Sequence, residues 1–463
     1  MRAVLGGGAA APKRRRRRSP EASMSQPFRF VHASDFHLER PLRTAADAPE
    51  QFASLLVETR YRAAQRVFDL ALTSRADFLI LAGDIVQVDR AGPRALHFLN
   101  AQFNRLAEQG VAIYWAGGRS ERTSPWPEAL PLPPNVHVFA RGEAQPRVHY
   151  DEGEPLAQLI GTSAVNRDSS LAIDAFAHRK ATAPESSRRS KAALFSIGVA
   201  HGTLANDRAA GKLAIDYWAL GGRHRRQRMR IVRRPERGAT NGAATAPAQA
   251  VYSGAPQGGA IQENGPHGAI VVQVDEQGVA HTRFEATDLL RWRRIKLTLD
   301  GALSLGEVEQ RLEARAEVEL ARAPGHDHFL HWVIDQTGDL RPAWATEHGR
   351  AELLSWLRRS YANRTPAAWS VALDIHRAAG LRTIVSPELA ADGTLLADFL
   401  IAVDAFATDG DDVPWKKMLP ESLRDSEFAV TLAKSVDPSA RRKLLEEVAV
   451  LGRELLGGEE VAQ

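Results

Sequence analysis

Apolar and polar positions along residues 28–252 form a pattern of short, wholly apolar runs separated by amphipathic stretches. The runs FRFVHA, DFLILAG, GVAIYWAG, ALFSIGVAHGT and DYWALGG predict buried strands. Residues 51–74 and 93–109 predict helices, and in the second of these Leu96, Leu99, Phe103 and Leu106 fall on one face. Strands alternating with helices predict an α/β domain whose functional loops lie at the carboxyl ends of its strands.

The pattern changes near residue 291. Three stretches, RWRRIKLTLD, HFLHWVIDQ and AWSVALDIH, predict strands with helices between them, and Ser304 with Glu307 forms a capping box for the first helix. From about residue 385 the chain reads as helical. We therefore predict a basic arm over 1–25, an α/β domain over 26–290, a small α+β capping domain over 291–380 and a helical region over 381–463.

Composition restricts the chemistry. A chain of 463 residues, 44% hydrophobic and 25% charged, is typical of a soluble protein with more than one domain. No apolar run approaches the roughly 20 residues of a membrane span. The absence of cysteine excludes disulfides and thiolate ligands, so a bound metal must take histidine and carboxylate ligands. This composition fits a reducing compartment, and we expect a cytoplasmic protein.

The formal charge of +4 is concentrated at the amino terminus, where residues 1–23 contain seven basic side chains and one acidic one. The run KRRRRR is followed by no apolar segment, so it does not predict a signal peptide. Two interpretations stay open. The segment is either a disordered basic arm that contacts nucleic acid or an extension upstream of a physiological start at Met24.

Polar residues follow the predicted strands in a regular series. Asp35 and His37 follow the first strand, and because side chains on an extended segment repeat with period two, both can reach one cation. A D-x-H pair alone is weak evidence. The rest of the series consists of Gly83 and Asp84, the segment GGRS at 117–120, His201, and the segment GGRH at 221–224.

This ordered series resembles the five signature motifs of the calcineurin-like metallophosphoesterases, and within them the bacterial SbcD-type and YhaO-type DNA repair exonucleases. The stretches VHASDFHLERPL, LILAGDI, LPPNVHVF and DYWALGGRHRR carry the resemblance, which extends over roughly residues 26–375. It implies a sandwich of two sheets flanked by helices, with a small α+β capping domain and C-terminal helices. It also implies metal-dependent hydrolysis of phosphodiester bonds at DNA ends.

The resemblance further implies two metal ions, usually manganese, that share an activated water. By position, Asp35, His37 and His224 would hold the first ion, and Asp84 would bridge both. The second ion would keep Asp84 and His201. All five are oxygen or nitrogen ligands suited to Mn²⁺.

The chain departs from the family in two motifs. Gly118 and Arg119 occupy the positions of a metal-binding asparagine and a proton-donating histidine, and Gly222 occupies the position of another ligand histidine. Three readings stay open: Glu121 or Ser120 supplies a missing ligand, Arg119 stabilises the transition state of a one-metal enzyme, or the centre is impaired. We therefore expect one metal site with a doubtful second one.

Arginines dominate the segment that follows His224. The ones we expect to bind DNA phosphates are Arg223, Arg225, Arg226, Arg228 and Arg230. The alternative is a solvated basic hairpin. The resemblance also implies that the C-terminal helices bind an SMC-like coiled-coil ATPase, and a homodimer is left open. The sequence thus favours a DNA exonuclease subunit with an incomplete second metal site; the alternative is a pseudoenzyme that binds DNA or scaffolds the ATPase.

Overall fold

The computed structural model describes most of the chain between residues 26 and 408. The described residues are 26–42, 48–49, 52–119, 121, 131–164, 171, 173–176, 194–205, 207–233, 248–337, 342–377 and 394–408, with Leu445, Val448 and Gly452. The predicted basic arm and most of the region after 380 lie outside them. The structure divides into two compact units. One covers 1–293, 322–330 and 361–371, and the other covers 294–321, 331–360 and 372–463.

The first unit contains two six-stranded sheets. In the first sheet the strands stand in the order β12-β11-β1-β2-β3-β4. Neighbouring strands from β1 to β4 are parallel, and β11 and β12 complete the sheet with antiparallel pairing. The bounds are β1 (Phe28–Ala33), β2 (Phe78–Leu81), β3 (Ala112–Trp115), β4 (Val136–Val138), β11 (Gly268–Val274) and β12 (Ala280–Ala286).

The second sheet has the order β5-β6-β7-β8-β10-β9. Strands β6, β7, β8 and β10 run parallel, and β5 and β9 pair antiparallel at the two edges. The bounds are β5 (Gln145–Asp151), β6 (Glu154–Thr162), β7 (Phe195–His201), β8 (Tyr217–Gly221), β9 (Gln227–Ile231) and β10 (Ala248–Tyr252).

The two sheets pack face to face over an aromatic core. Phe30 and Phe78 lie opposite each other in the β1–β2 register, and their rings stack with centroids 5.1 Å apart. Tyr217 from the second sheet meets Phe30 edge-on at 5.3 Å. These three residues belong to one buried cluster that draws on both sheets. The architecture is the two-sheet sandwich expected of a calcineurin-like metallophosphoesterase.

Helices cover the outer face of the first sheet. They are α1 (Ala53–Thr73) and α2 (Pro93–Glu108). The predicted apolar face of α2 is confirmed, because Leu96, Leu99, Phe103 and Leu106 are all buried. They pack with Trp115 and other residues on the outer face of that sheet. On the second sheet, a 3₁₀ turn (Ile173–Phe176) and the short helix α3 (Asp207–Ala210) contribute to a separate cluster around Trp218.

A third sheet has the order β13-β14-β15. Its strands are β13 (Leu290–Asp300), β14 (Asp327–Thr337) and β15 (Ala368–Arg377), and its helices are α4 (Leu305–Ala321) and α5 (Glu347–Tyr361). The predicted β-α-β-α-β order is confirmed. So is the capping box, since the Ser304 N–H donates to Glu307 Oε2 at 2.8 Å.

The last described helix is α6 (Leu395–Thr408). Its buried Leu400 and Val403 pack with Leu445 and Val448. Among the helices that the structure describes, none is both long enough and apolar enough to cross a membrane.

A buried histidine in the sandwich predicts acid sensitivity. His32 is fully buried, with Nδ1 3.1 Å from the Tyr217 hydroxyl, and burial lowers the pKa of His32 to about 3. Below pH ~6.5 the unfolded chain binds a proton at this residue that the folded chain excludes, so stability falls as the pH is lowered. At pH 5 the loss is about 2 kcal/mol.

The measurement is urea unfolding of the wild type and of His32→Gln at several pH values from 7 to 5. We expect the variant to lose less stability than the wild type over this interval, by about 2 kcal/mol. His97→Gln, a change at an exposed position, should keep the wild-type pH dependence. Identical pH dependence in all three proteins would contradict the assignment.

Candidate metal centre

The predicted ligands lie at the carboxyl ends of adjacent parallel strands. Asp35 and His37 follow β1, and Asp84 follows β2, its neighbour in the first sheet. In the second sheet His201 is the last residue of β7, and His224 lies three residues after the end of β8, the strand beside it. The sandwich therefore brings five residues from four separate segments of the chain to one end of the fold.

These side chains form two groups. In each group, one ligand atom from every member lies within 4.8 Å of the others. The first group is Asp35, His37 and His224, and the second is Asp35, Asp84 and His201. Nε2 of His37 lies 3.0 Å from Nε2 of His224, and Nε2 of His201 lies 3.4 Å from Oδ2 of Asp84. Asp35 is thus common to both groups, whereas the resemblance assigns the shared position to Asp84.

The backbone at these positions is unusual. Asp35, His37 and Asp84 have φ values of +57°, +48° and +53° and are three of the five non-glycine residues with positive φ in the described chain. Such conformations cost about 1–3 kcal/mol each and persist where the surroundings enforce them. The two loops enforce each other here, because the Asp35 N–H donates to the Gly83 carbonyl at 2.9 Å and the His37 N–H donates to the Asp84 carbonyl at 3.0 Å.

The donor set fits a divalent cation. Nδ1 of His201 donates to the Ala82 carbonyl at 2.9 Å, which directs Nε2 toward the carboxylates. This Nε2 is buried and lies 3.4 Å from Oδ2 of Asp84. Burial opposes a charge on His201, but the contact with Asp84 and the charge of Asp35 raise its pKa to about 9. The negative field that favours a proton here would equally favour a metal ion.

Glu121 is placed differently from a metal ligand. Its buried carboxylate accepts hydrogen bonds from four backbone N–H groups. The donors are Asp84 at 2.9 Å, Val86 at 3.1 Å and Gly118 at 2.7 Å, together with Ile85. Burial and the nearby Asp84 raise the pKa of Glu121 to about 7, against the effect of these donors. The carboxylate therefore holds the loop that carries Asp84. Ser120, the other proposed substitute, lies outside the described residues.

Replacing this carboxylate tests its role in the loop. In Glu121→Gln an amide NH₂ group, which only donates hydrogen bonds, faces the N–H donors of the loop. We therefore expect a loss of about 1–3 kcal/mol in the free energy of unfolding. Backbone amide exchange at Asp84–Val86 should accelerate. Glu108→Gln, at an exposed position, serves as the control, and unchanged exchange at Asp84–Val86 would refute the assignment.

The two substituted glycines lie close to the ligands. A Cβ on Gly118 would come within 2.5 Å of Oδ1 of Asp84, and one on Gly222 would lie 3.3 Å from Nε2 of His201. Gly222 also has φ +98°, a conformation that disfavours a histidine. Its N–H donates to both carboxylate oxygens of Asp35, at 3.2 and 3.0 Å. A side chain at either position would therefore crowd Asp84 or His201. Arg119, the next residue after Gly118, is exposed.

The predicted DNA-binding arginines flank His224 in the sequence. Arg225, Arg226, Arg228 and Arg230 are exposed, the last two on edge strand β9. Arg223 lies over the Tyr252 ring at 4.7 Å, and Arg226 lies over Phe284 at 4.3 Å. The structure therefore places a basic edge beside the ligand groups.

Two carboxylates near the histidines were missed by sequence reasoning. Oε1 of Glu39 lies 3.7 Å from Nδ1 of His37, and its position two residues after His37 could have signalled this. Oε1 of Glu263 lies 2.5 Å from Nδ1 of His224, and no local pattern points to it. Burial opposes ionisation of Glu263, but the contact with His224 lowers its pKa to about 2.

Comparison with known proteins agrees with this architecture. No protein-family model matches the chain. A Bacillus subtilis (strain 168) protein named as the uncharacterized metallophosphoesterase YhaO is 27% identical over 359 residues, covering 74% of this chain and 81% of that protein. The similarity supports the metallophosphoesterase superfamily, phosphoester hydrolysis as the general chemistry, and divalent metal as the cofactor class.

Proposed function

We propose that the protein is a manganese-dependent phosphodiesterase that hydrolyses DNA near its ends. The observation that carries the proposal is the convergence of Asp35, His37, Asp84, His201 and His224 into two ligand groups at one end of the sandwich. The similarity to a metallophosphoesterase supports the general chemistry. Manganese, DNA and a role in DNA repair go further than that similarity and are our inference.

The residues of the site have two roles, namely binding the cations and stabilising the charge of the transition state. A bound divalent ion supplies a water activated at neutral pH and polarises a phosphoryl oxygen. Asp35, His37 and His224 would hold one ion, and Asp35 with Asp84 and His201 would hold a second. Guanidinium groups are not deprotonated in proteins, so an arginine at position 119 can stabilise the negative charge of a phosphorane-like transition state but cannot act as a proton donor.

A catalytically impaired DNA-binding subunit is the second candidate. Gly118, Arg119 and Gly222 favour it, because they replace two ligands and the proton donor that the resemblance implies. Loss of the general acid alone lowers the rate by a factor of about 10²–10⁴ when the leaving group is an alkoxide. Residual cleavage, if present, should therefore be slow.

Cleavage of end-labelled duplex DNA in MnCl₂ separates the two candidates. The proposal predicts labelled products with the wild type, their loss with Asp84→Ala, and retention with Asp89→Asn, which removes an exposed carboxylate outside the ligand groups. Equal inertness of all three proteins, with DNA still bound, would favour the impaired subunit. Products from Asp84→Ala equal to those from the wild type would place the activity elsewhere or in a contaminant.

The basic edge gives a prediction about binding that does not require cleavage. Arg228 and Arg230 are exposed on one face of β9. If each contacts a phosphate, replacing both with alanine should weaken DNA binding at every sequence and reduce the slope of log K against log salt by about 2. Replacing the exposed Arg62 and Arg311 should leave the slope unchanged. Equal slopes for both double variants would refute DNA contact at this edge.

A coiled-coil ATPase partner at the C-terminal helices and a homodimer stay proposals from the resemblance. Leu395 and Ile401 of helix α6 are 71% and 44% exposed, which suits partner binding. Size-exclusion chromatography with light scattering measures self-association. The role of the helix is tested by co-purification of such an ATPase with the wild type and with the double variant Leu395→Asp, Ile401→Asp of this chain.

A further inference from the structure

We propose that Glu263, supported by Arg60, is a positioning residue that fixes the ring orientation and tautomer of His224 for metal binding. This role rests on the proposed function, in that His224 must bind a metal. It concerns a residue that lies outside every motif of the sequence analysis, in the segment between β10 and β11.

The contact between Glu263 and His224 has the geometry of a strong hydrogen bond. Nδ1 of His224 and Oε1 of Glu263 are 2.5 Å apart. Because a carboxylate only accepts, the imidazole donates its Nδ1 proton. In the neutral ring this leaves Nε2 unprotonated, and Nε2 is the atom that lies 3.0 Å from Nε2 of His37 and 3.9 Å from Oδ1 of Asp35. Glu263 therefore selects the tautomer that turns a lone pair toward the first ligand group.

The Glu263 carboxylate is itself held in place. Its second oxygen accepts a hydrogen bond from the Gly259 N–H at 2.5 Å. Its backbone N–H donates to the Ala260 carbonyl at 2.9 Å, and its carbonyl accepts from Nε2 of His267 at 2.9 Å. A turn from 259 to 263 is thus closed around the side chain. With 18% of its surface exposed, Glu263 is a fixed acceptor rather than a mobile surface group.

Arg60 lies next to Gly259 of this turn. Its guanidinium is buried and donates through Nη1 to the Phe36 carbonyl at 3.1 Å. A Cβ on Gly259 would collide with Nη2 of Arg60 and would lie 3.6 Å from Oε2 of Glu263. The guanidinium and the carboxylate therefore lie on the same side of Gly259. Arg60 also joins this turn to the loop that carries His37, because Phe36 precedes that histidine.

The test compares Mn²⁺ binding by calorimetry in the full-length wild type, Glu263→Gln, His224→Asn and the double variant. We expect Glu263→Gln to weaken the tighter Mn²⁺ site by about 10–100-fold while the thermal unfolding temperature changes little. Glu58→Gln, which removes an exposed carboxylate on α1, should bind as the wild type does. Glu263→Asp, which keeps the charge but withdraws it from Nδ1, should also weaken binding.

The double variant distinguishes positioning of His224 from a general structural role. If Glu263 acts through His224, Glu263→Gln should weaken Mn²⁺ binding no further once His224 is Asn. Wild-type affinity in folded Glu263→Gln, or an equal loss in both backgrounds, would overturn this role and leave the proposed function standing. A wild type that binds no Mn²⁺ would overturn the proposed function as well.

Discussion

Asp35→Asn is expected to eliminate binding of divalent ions at both ligand groups. Asp35 is common to the two groups, is fully buried, and has its carboxylate held by the Ser34 hydroxyl at 2.6 Å and by the Gly222 N–H. Asparagine keeps the shape and tolerates the positive φ, but it replaces an anionic oxygen with an amide group. Since losing a supporting group alone costs about 10–100-fold in affinity, losing a ligand should cost at least about 100-fold.

Calorimetric titration with MnCl₂ measures this effect, and the number of ions bound is as informative as their affinity. Asp89→Asn should bind as the wild type does. If Asp84 were the shared ligand, Asp84→Asn would remove both ions and Asp35→Asn would leave one. That outcome would assign the shared position to Asp84, whose Oδ2 lies 3.9 Å from Nε2 of His37, instead of to Asp35.

Phe30→Ala is expected to destabilise the sandwich strongly. Phe30 is fully buried between Phe78 of its own sheet and Tyr217 of the opposite one. Truncation removes the ring and leaves a cavity that two rigid sheets cannot fill, so the cost should be about 3–5 kcal/mol. Because β1 ends in the loop that carries Asp35 and His37, metal affinity should fall as well.

Urea unfolding of Phe30→Ala gives the free energy directly. The control is Val57→Ala on α1, since Val57 is 55% exposed and its truncation should cost well under 1 kcal/mol. A cost for Phe30→Ala no larger than for Val57→Ala would mean that the two sheets do not share this core.

Most elements of the sandwich were predictable from local pattern. The strands β1, β2, β3, β7 and β8 are short apolar runs, and a parallel strand buried on both faces must be apolar throughout. Helix α2 was predictable because its buried residues recur every three or four positions. The order of strands was not predictable, because β10 pairs between β8 and β9 through contacts that no local pattern encodes.

The candidate site likewise contains residues that the sequence predicts and residues that it does not. Asp35, Asp84 and His201 were predictable because each lies at the end of an apolar run, where parallel strands of an α/β fold present their side chains together. Glu121 was considered only as a ligand, because three of its four N–H donors come from a loop more than thirty residues away. Glu263 gave no signal, since its partner His224 is 39 residues distant. Carboxylates that support the ligands are therefore identified by their tertiary contacts and not by a local sequence pattern.

Hydrolysis of bis(p-nitrophenyl) phosphate in MnCl₂ tests the central claim most directly. Nitrophenolate leaves without a proton donor, so the arginine at position 119, which replaces that donor, does not limit the rate with this substrate. The account predicts manganese-dependent release of nitrophenolate by the wild type and by Asp89→Asn, and a loss of about 100-fold or more in Asp84→Asn. A wild type that binds Mn²⁺ but releases nitrophenolate no faster than Asp84→Asn would contradict phosphoester hydrolysis at this site.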